Sequence, residues 1–154
     1  MKVLLCLRPV TFLLCARRRR RARAAERAAL EKRGIPAVLG PANVATGANI
    51  VISAVTTKRV VGAGDAIGLY MQPGQIFLYI NSPSPRAKRG SSSSVVAASA
   101  KYVDAAVMPN VPPNGHRGPI WLAGTAADKA AAFMTPFGMD VEVVGTEIGQ
   151  ASSI

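Results

Sequence analysis

The feature that most constrains the fold is a series of short apolar runs, rich in β-branched residues, that alternates with segments of helical length. The runs cover residues 49–56, 75–80, 101–107, 119–123 and 139–144. The first of them, NIVISAVT, is apolar on both faces, which is typical of a strand buried in a parallel sheet. The alternation therefore predicts an α/β fold, with a Rossmann-like, mostly parallel sheet and helices on both of its faces.

Three segments between these runs have the length and punctuation of helices: residues 58–70, 85–99 and 125–135. Ser84 is a good N-cap with Pro85 at the first helical position, and Thr125 is the expected cap of the third helix. Residues 149–154 have the composition of the beginning of another helix. At the other end of the chain, residues 1–7 are apolar enough to form a short strand.

The positive charge is concentrated in one part of the chain. Residues 1–33 hold 11 Lys or Arg and 2 Glu, for a net charge of +9, whereas residues 34–154 hold 8 and 6, for a net charge of +2. We therefore divide the chain into a basic, Arg-rich segment at 1–33 and a domain at 34–154. Like charges repel, so the five arginines at 17–21 favour a solvated extension.

Two other interpretations of the basic segment stay open. Residues 8–33 can act as a basic arm that binds nucleic acid, or they can approach an anionic membrane surface. No aromatic residue is interleaved with the arginines at 17–21 to stack on bases, so we do not expect nucleic acid as a partner.

Several classes of protein are disfavoured by what the chain contains. Cys6 and Cys15 both lie in the basic segment, so a disulfide framework is not expected, and we predict a cytoplasmic protein. The apolar stretch at residues 3–16 is interrupted by Arg8 and is too short to span a bilayer. His116 is the single histidine, and with no cysteine in residues 34–154 we expect no metal site.

The glycine-rich loop that normally binds a dinucleotide phosphate is missing from its expected place. The first predicted strand runs into Arg8 and Pro9, and no glycine occurs before Gly34. Without glycine the backbone cannot approach a pyrophosphate closely. The later run at 62–68, GAGDAIG, has the spacing G-x-G-x-x-x-G inside a predicted helix and carries an acidic residue. We interpret it as a helix-packing or flexible segment.

Parallel sheets bind ligands at the carboxyl ends of their strands. The functional loops are therefore expected after Thr56, after Ile80 and after Val107. Asp104 lies on the third of these strands, and two interpretations of it stay open. It is either a functional carboxylate or a residue that forms structural hydrogen bonds.

An ordered set of short segments resembles a known family over about residues 22–154. The segments are ANIVISAVT at 48–56, YINSPSP at 79–85, YVDAAV at 102–107, LAG at 122–124 and FGM at 137–139, followed by a Val-rich strand. In this order and spacing they resemble the NAD(P)-binding domain of the 6-phosphogluconate and 3-hydroxyisobutyrate dehydrogenases, which are β-hydroxyacid dehydrogenases. The family oxidises a β-hydroxyacid by hydride transfer to NAD or NADP.

The resemblance implies two groups of site residues. The expected cofactor contacts are Ser53, Val55, Thr56, Asn81 and Ser82. The expected contacts with a small hydroxyacid substrate are Met108, Pro109 and Asn110, which stand where many members carry Ser-Gly-Gly.

The sequence also departs from the family in ways that bear on activity. The Arg-rich segment replaces the glycine motif. The family's catalytic lysine lies on the helix after the last strand, and Ile154 falls where that helix begins. We therefore expect a domain truncated at both ends, without its C-terminal helical domain. No catalytic residue is predicted, binding of NADP or NAD is expected to be weak or lost, and enzymatic activity is left undecided.

The missing C-terminal domain suggests one more alternative. A domain that lacks this part should leave an apolar face exposed, and such a face favours a non-catalytic fragment that forms a homodimer.

Overall fold

The computed structural model describes residues 2–8, 11–15, 28, 31–32, 37–38, 40–55, 60–80, 84–108 and 117–153. Within these residues eight strands form one sheet. The strands are β1 (Lys2–Arg8), β2 (Thr11–Cys15), β3 (Ala37–Val38), β4 (Ile50–Val55), β5 (Ile76–Tyr79), β6 (Lys101–Val107), β7 (Ile120–Ala123) and β8 (Val141–Gly145). The helices are α1 (Pro41–Ala45), α2 (Val60–Gly68), α3 (Pro85–Ala97) and α4 (Ala127–Met134), and a short 3-10 helix (Thr135–Phe137) follows α4.

The strands lie in the order β3-β2-β1-β4-β5-β6-β7-β8. The centre is parallel, since β4 pairs with β5 and β5 with β6 in the same direction, and β2–β3 and β7–β8 are parallel as well. Helices cover both faces of this sheet. The predicted α/β, Rossmann-like architecture is therefore confirmed.

The strand that follows β6 corrects the expectation of βαβ units throughout. β7 runs antiparallel to β6, with Asp104 opposite Ala123 and Val107 opposite Ile120. A parallel return needs a crossover of about a dozen residues or more, usually a helix. The 12 residues between the two strands are rich in proline and glycine, which disfavours a crossover helix. The sheet is therefore mixed at this side.

The first strand also runs against the central strands. The expected strand at residues 1–7 is present as β1, but it pairs antiparallel with β4, with Lys2 opposite Val55 and Leu7 opposite Ile50. β1 continues into β2 as an antiparallel pair. The carboxyl end of β1 therefore lies at the edge where β4 begins.

Alternation along the central strands builds a separate apolar core on each face of the sheet. One core, which we call face A, contains Val51, Phe77 and Tyr102 and is covered by α1, α2 and α3. The other core, face B, contains Ile52 and Leu78 and is covered by α4. Since successive side chains of a strand point to opposite sides, the same strands supply both cores.

Helix boundaries confirm one predicted cap and correct another. The Ser84 side chain accepts a hydrogen bond from the Ala87 backbone N–H at 3.4 Å, as expected of the N-cap of α3. α4 begins at Ala127 with Ala126 as its N-cap, and no side chain caps it, so the assignment of Thr125 as the cap was wrong. Residues 149–153 form turns instead of the predicted start of a helix.

The glycine run at 62–68 packs α2 against α3, which supports the helix-packing interpretation over the flexible one. A Cβ added at Gly64 would lie 2.0 Å from the Ser91 carbonyl oxygen, and one added at Gly68 would lie 2.6 Å from the carbonyl carbon of Ser94. The run of serines at 91–94 therefore includes residues that α2 contacts directly. Two small-residue surfaces allow the helix backbones to approach more closely than larger side chains would permit.

Candidate functional site

A row of polar residues crosses the sheet on face A, close to the carboxyl ends of the central strands. Ser53 of β4 lies opposite Tyr79 of β5, and Tyr79 lies opposite Asp104 of β6. All three residues are fully buried. The edge just beyond this row is where the sequence predicts a ligand, because β4, β5 and β6 all end there.

The structure places three of the predicted site residues. Ser53 lies two residues before the end of β4 and is buried beneath the edge, while Val55 is the last residue of that strand. Met108 directly follows β6, is 36% exposed, and donates its backbone N–H to the Pro119 carbonyl at 3.0 Å. The remaining predicted contacts lie outside the described residues: Thr56, Asn81, Ser82, Pro109 and Asn110, as does His116.

Lys88 of α3 forms a fully buried ion pair with Asp104. Its ammonium group also donates a hydrogen bond to the Ala105 carbonyl oxygen at 2.9 Å and lies 5.7 Å from the centre of the Tyr79 ring. An unpaired buried charge is very costly, so these contacts are needed to keep the ammonium group inside the protein. The pair fixes α3 to the middle of β6.

Asp104 holds a second segment in place. The Ser152 hydroxyl donates to its two carboxylate oxygens at 3.1 and 3.4 Å. The neighbouring Ala151 is buried with Ala106 and Ala123 on the same face of the sheet. Asp104 thus joins three parts of the chain, and its contacts support the interpretation of a residue that forms structural hydrogen bonds. Its interpretation as a functional carboxylate stays a prediction.

The environment shifts the acid–base behaviour of two residues in this region. Desolvation lowers the pKa of Lys88, and the hydrogen bond and charge of Asp104 partly oppose that effect. Burial raises the pKa of Tyr102, whose hydroxyl shares a 2.8 Å hydrogen bond with Ser91. Both shifts favour the uncharged form, as expected for groups removed from water.

Sequence reasoning considered Asp104 but missed its partner. Lys88, Ser91 and Val95 are spaced at i, i+3 and i+7, which puts them on one face of a helix. The sequence alone shows this spacing, which places Lys88 on the same helix face as Val95, an apolar residue of the core. The burial of Lys88 was missed because Arg86 and Arg89 stand beside it in the sequence. Both arginines are exposed, as charged residues usually are, and the same was expected of the lysine.

The described residues contain neither a metal-ligand cluster nor a membrane-spanning helix. Among the described residues no group of three or more His, Cys, Asp or Glu side chains could hold a metal ion. In the same part of the chain no helix is long and apolar enough to cross a membrane.

Comparison with known proteins shows where this architecture occurs. No protein-family model matches the sequence, and no curated protein matches it. Among solved structures, a conserved hypothetical protein from Sinorhizobium meliloti 1021 is 29% identical, with a TM-score of 0.82 over 87% of this chain and 44% of that one. A conserved protein of unknown function, described as structurally similar to 3-hydroxyacid dehydrogenases, is 30% identical, with a TM-score of 0.72 over 80% of this chain and 45% of that one.

This chain has the 3-hydroxyacid dehydrogenase-like fold. An imine reductase from Myxococcus stipitatus, solved in complex with NADP+, shares the fold at 20% identity, with a TM-score of 0.71 over 93% of this chain and 50% of that one. The resemblance inferred from the sequence segments is confirmed at the level of the hydroxyacid dehydrogenase-like superfamily. The chain spans about half the length of these similar proteins.

The residues present fit a dinucleotide only in part. In a 3-hydroxyacid dehydrogenase-like fold of the Rossmann kind, the pyrophosphate sits on a glycine turn between the first strand and a helix N-terminus. Here β1 is antiparallel to β4, so its carboxyl end at Arg8 lies at the opposite edge of the sheet from the end of β4. The described residues therefore supply the strand ends of β4, β5 and β6 but not this phosphate cradle.

Proposed function

We propose that the chain is an NAD(P)-binding domain derived from the β-hydroxyacid dehydrogenases of the 6-phosphogluconate and 3-hydroxyisobutyrate kind, with weak cofactor affinity and little or no catalysis of its own. Its ligand edge is formed by the carboxyl ends of β4, β5 and β6. The observation that carries this proposal is the parallel register of these three strands, which brings their ends to one edge. The proposed activity of the intact site is hydride transfer between a small hydroxyacid and NAD or NADP.

The proposed cofactor contacts are Val55, Thr56, Asn81 and Ser82, with Ser53 supporting them from beneath because its side chain is fully buried. The proposed substrate side is Met108, Pro109 and Asn110. Met108 supports this assignment, since it follows β6 at the same edge and its side chain is partly exposed. We also propose that the protein is located in the cytoplasm.

The test is a titration of the full chain with NADPH. Nuclear magnetic resonance shifts of the backbone amides monitor the binding. We expect saturable binding with a Kd in the millimolar range, because the phosphate cradle is missing, and shifts at the ends of β4, β5 and β6. Asn81→Ala should weaken this binding. Asn49→Ala is the matched control, since Asn49 is exposed at the opposite edge of the sheet, and it should leave binding unchanged.

Two results would contradict the proposal. Amide shifts that cluster away from the carboxyl ends of the central strands would remove the assigned site. Micromolar affinity would contradict the argument that a dinucleotide needs the missing glycine turn. If binding instead falls steeply with salt and is abolished when residues 8–33 are deleted, the ligand is held by the basic segment, and the nucleic-acid-binding interpretation gains support.

A further inference from the structure

A cavity lies away from the proposed cofactor edge. It measures about 430 Å³, which falls within the range of small-molecule sites, and it opens between α3 and residues 146–148. Its walls include the amino end of β6 and the residues that follow β7 and β8. Because β7 is antiparallel to β6, these three chain segments meet at the edge opposite the carboxyl ends of β4, β5 and β6.

The charges in this cavity favour an anion of low charge. Arg89 and Lys101 contribute two positive charges, and Glu147 contributes one negative charge. Within the described part of the chain, neither cation forms an ion pair with a carboxylate; the Arg89 guanidinium instead reaches the Ile148 carbonyl oxygen at 3.5 Å. The net charge of +1 suits a monoanion better than a phosphate monoester, which carries nearly two negative charges at neutral pH.

The remaining lining determines the shape of the ligand. Val96, Ala100 and Ile148 provide an apolar wall, and the hydroxyl groups of Thr125 and Thr146 provide polar atoms at the ends of β7 and β8. A planar guanidinium group matches the geometry of a carboxylate, which can accept two parallel hydrogen bonds. The combination is that of a site with a few polar groups around an apolar body.

We propose that this cavity binds a small organic monocarboxylate, with the carboxylate held by Arg89 and Lys101 and the apolar body against Val96, Ala100 and Ile148. The site is separate from the proposed cofactor edge. β6 has seven residues between the two edges, and a strand rises about 3.3 Å per residue, so they lie roughly 20 Å apart. The proposal therefore does not depend on whether the chain binds a dinucleotide.

The experiment is isothermal titration calorimetry of the full chain with benzoate, which combines a carboxylate with an apolar ring. We expect one saturable site per chain. Lys101→Gln and Arg89→Gln should each weaken binding by about tenfold, since each removes a charge-assisted contact. Lys129→Gln is the matched control, because Lys129 is an exposed lysine of α4 that does not line the cavity, and it should bind benzoate as the unmodified chain does.

Four results with benzoate would overturn the proposal. Absence of saturable binding, or equal weakening in the Lys101 and Lys129 variants, shows that the cavity holds no specific site for this class of ligand. Tighter binding of inorganic phosphate than of benzoate contradicts the assignment to a carboxylate. Displacement of benzoate by NADPH places the ligand at the cofactor edge instead. A failure of NADPH to bind at all leaves the benzoate result unaffected, so the two proposals fail separately.

Discussion

At the scale of single residues, the burial of Lys88 and Asp104 is the most demanding feature of the structure. Lysine and aspartate are almost never fully buried unless they are paired. Here each has several polar neighbours, including the Ala105 carbonyl oxygen for Lys88 and the Ser152 hydroxyl for Asp104. Such a pair adds little net stability, but it makes the position of α3 on the sheet depend on a specific partner.

The pair leads to a prediction about removing one charge or both. Lys88→Met leaves the Asp104 carboxylate buried without its cation and should lower the free energy of unfolding by about 3–5 kcal/mol. The double variant Lys88→Met, Asp104→Leu should recover most of that loss, because no buried charge remains. Urea denaturation monitored by circular dichroism measures the free energy of unfolding of the unmodified chain, the single variant and the double variant.

The control for this prediction is Lys129→Met on the exposed side of α4, which should change stability by no more than about 0.5 kcal/mol. If Lys88→Met is equally harmless, the ammonium group is not held in the buried pair.

At the scale of secondary-structure elements, α2 and α3 show how closely two helices can pack when both contact surfaces are small. Gly64 and Gly68 of α2 face Ser91 and Ser94 of α3. Glycine lowers helix stability by about 1 kcal/mol relative to alanine, so the presence of Gly64 and Gly68 in α2 is explained by the contact and not by the helix itself.

This contact predicts opposite effects for two substitutions in one helix. Gly64→Ala would place a Cβ 2.0 Å from the Ser91 carbonyl oxygen, so the helices must separate, and we expect a loss of about 1–3 kcal/mol. Gly62→Ala meets no atom within 4 Å and should stabilise the protein by about 0.5–1 kcal/mol through helix propensity. Thermal denaturation of both variants measures the difference, and stabilisation by Gly64→Ala would disprove the close packing.

At the scale of the whole molecule, two cores share one set of strands. Ile67 of α2 is buried in the core on face A, and Met134 of α4 is buried in the core on face B. A strand cannot lose its packing on one face without exposing the other, so the two cores should unfold together. The described structure therefore predicts one cooperative transition, not two.

Substitutions on the two faces test this expectation. Ile67→Ala and Met134→Ala should each cost about 2–5 kcal/mol, since each leaves a cavity. The residues lie on opposite sides of the sheet, so the double variant should show the sum of the two losses within about 0.5 kcal/mol. Fluorescence of Trp121, the one tryptophan of the chain, and far-ultraviolet circular dichroism should give the same midpoint. Different midpoints would show that the faces unfold separately.

The alternation of Val- and Ile-rich runs with helical segments was sufficient to predict the α/β class, the positions of β4 to β8 and the cap at Ser84. These features are local, since they depend on side-chain periodicity and on one hydrogen bond between near neighbours. The predicted contacts on the loops after β4, β5 and β6 stay predictions, except for the positions of Ser53, Val55 and Met108. The cap assigned to Thr125 failed because the turn at 124–126 ends one residue later than its composition suggests.

The sequence alone therefore determined the segments that become β1, β4 to β8 and the helices α2, α3 and α4, and it placed the glycines at 62–68 within a helix, because periodicity and backbone preference act over a few residues. Only the tertiary structure decided the direction of β1 and β7, the burial of Lys88 against Asp104, and the approach of Ser152 from 48 residues away. Strand direction depends on which neighbour offers hydrogen bonds and apolar surface. A buried charge depends on which partner the fold brings to it, and neither is encoded in any short stretch of the chain.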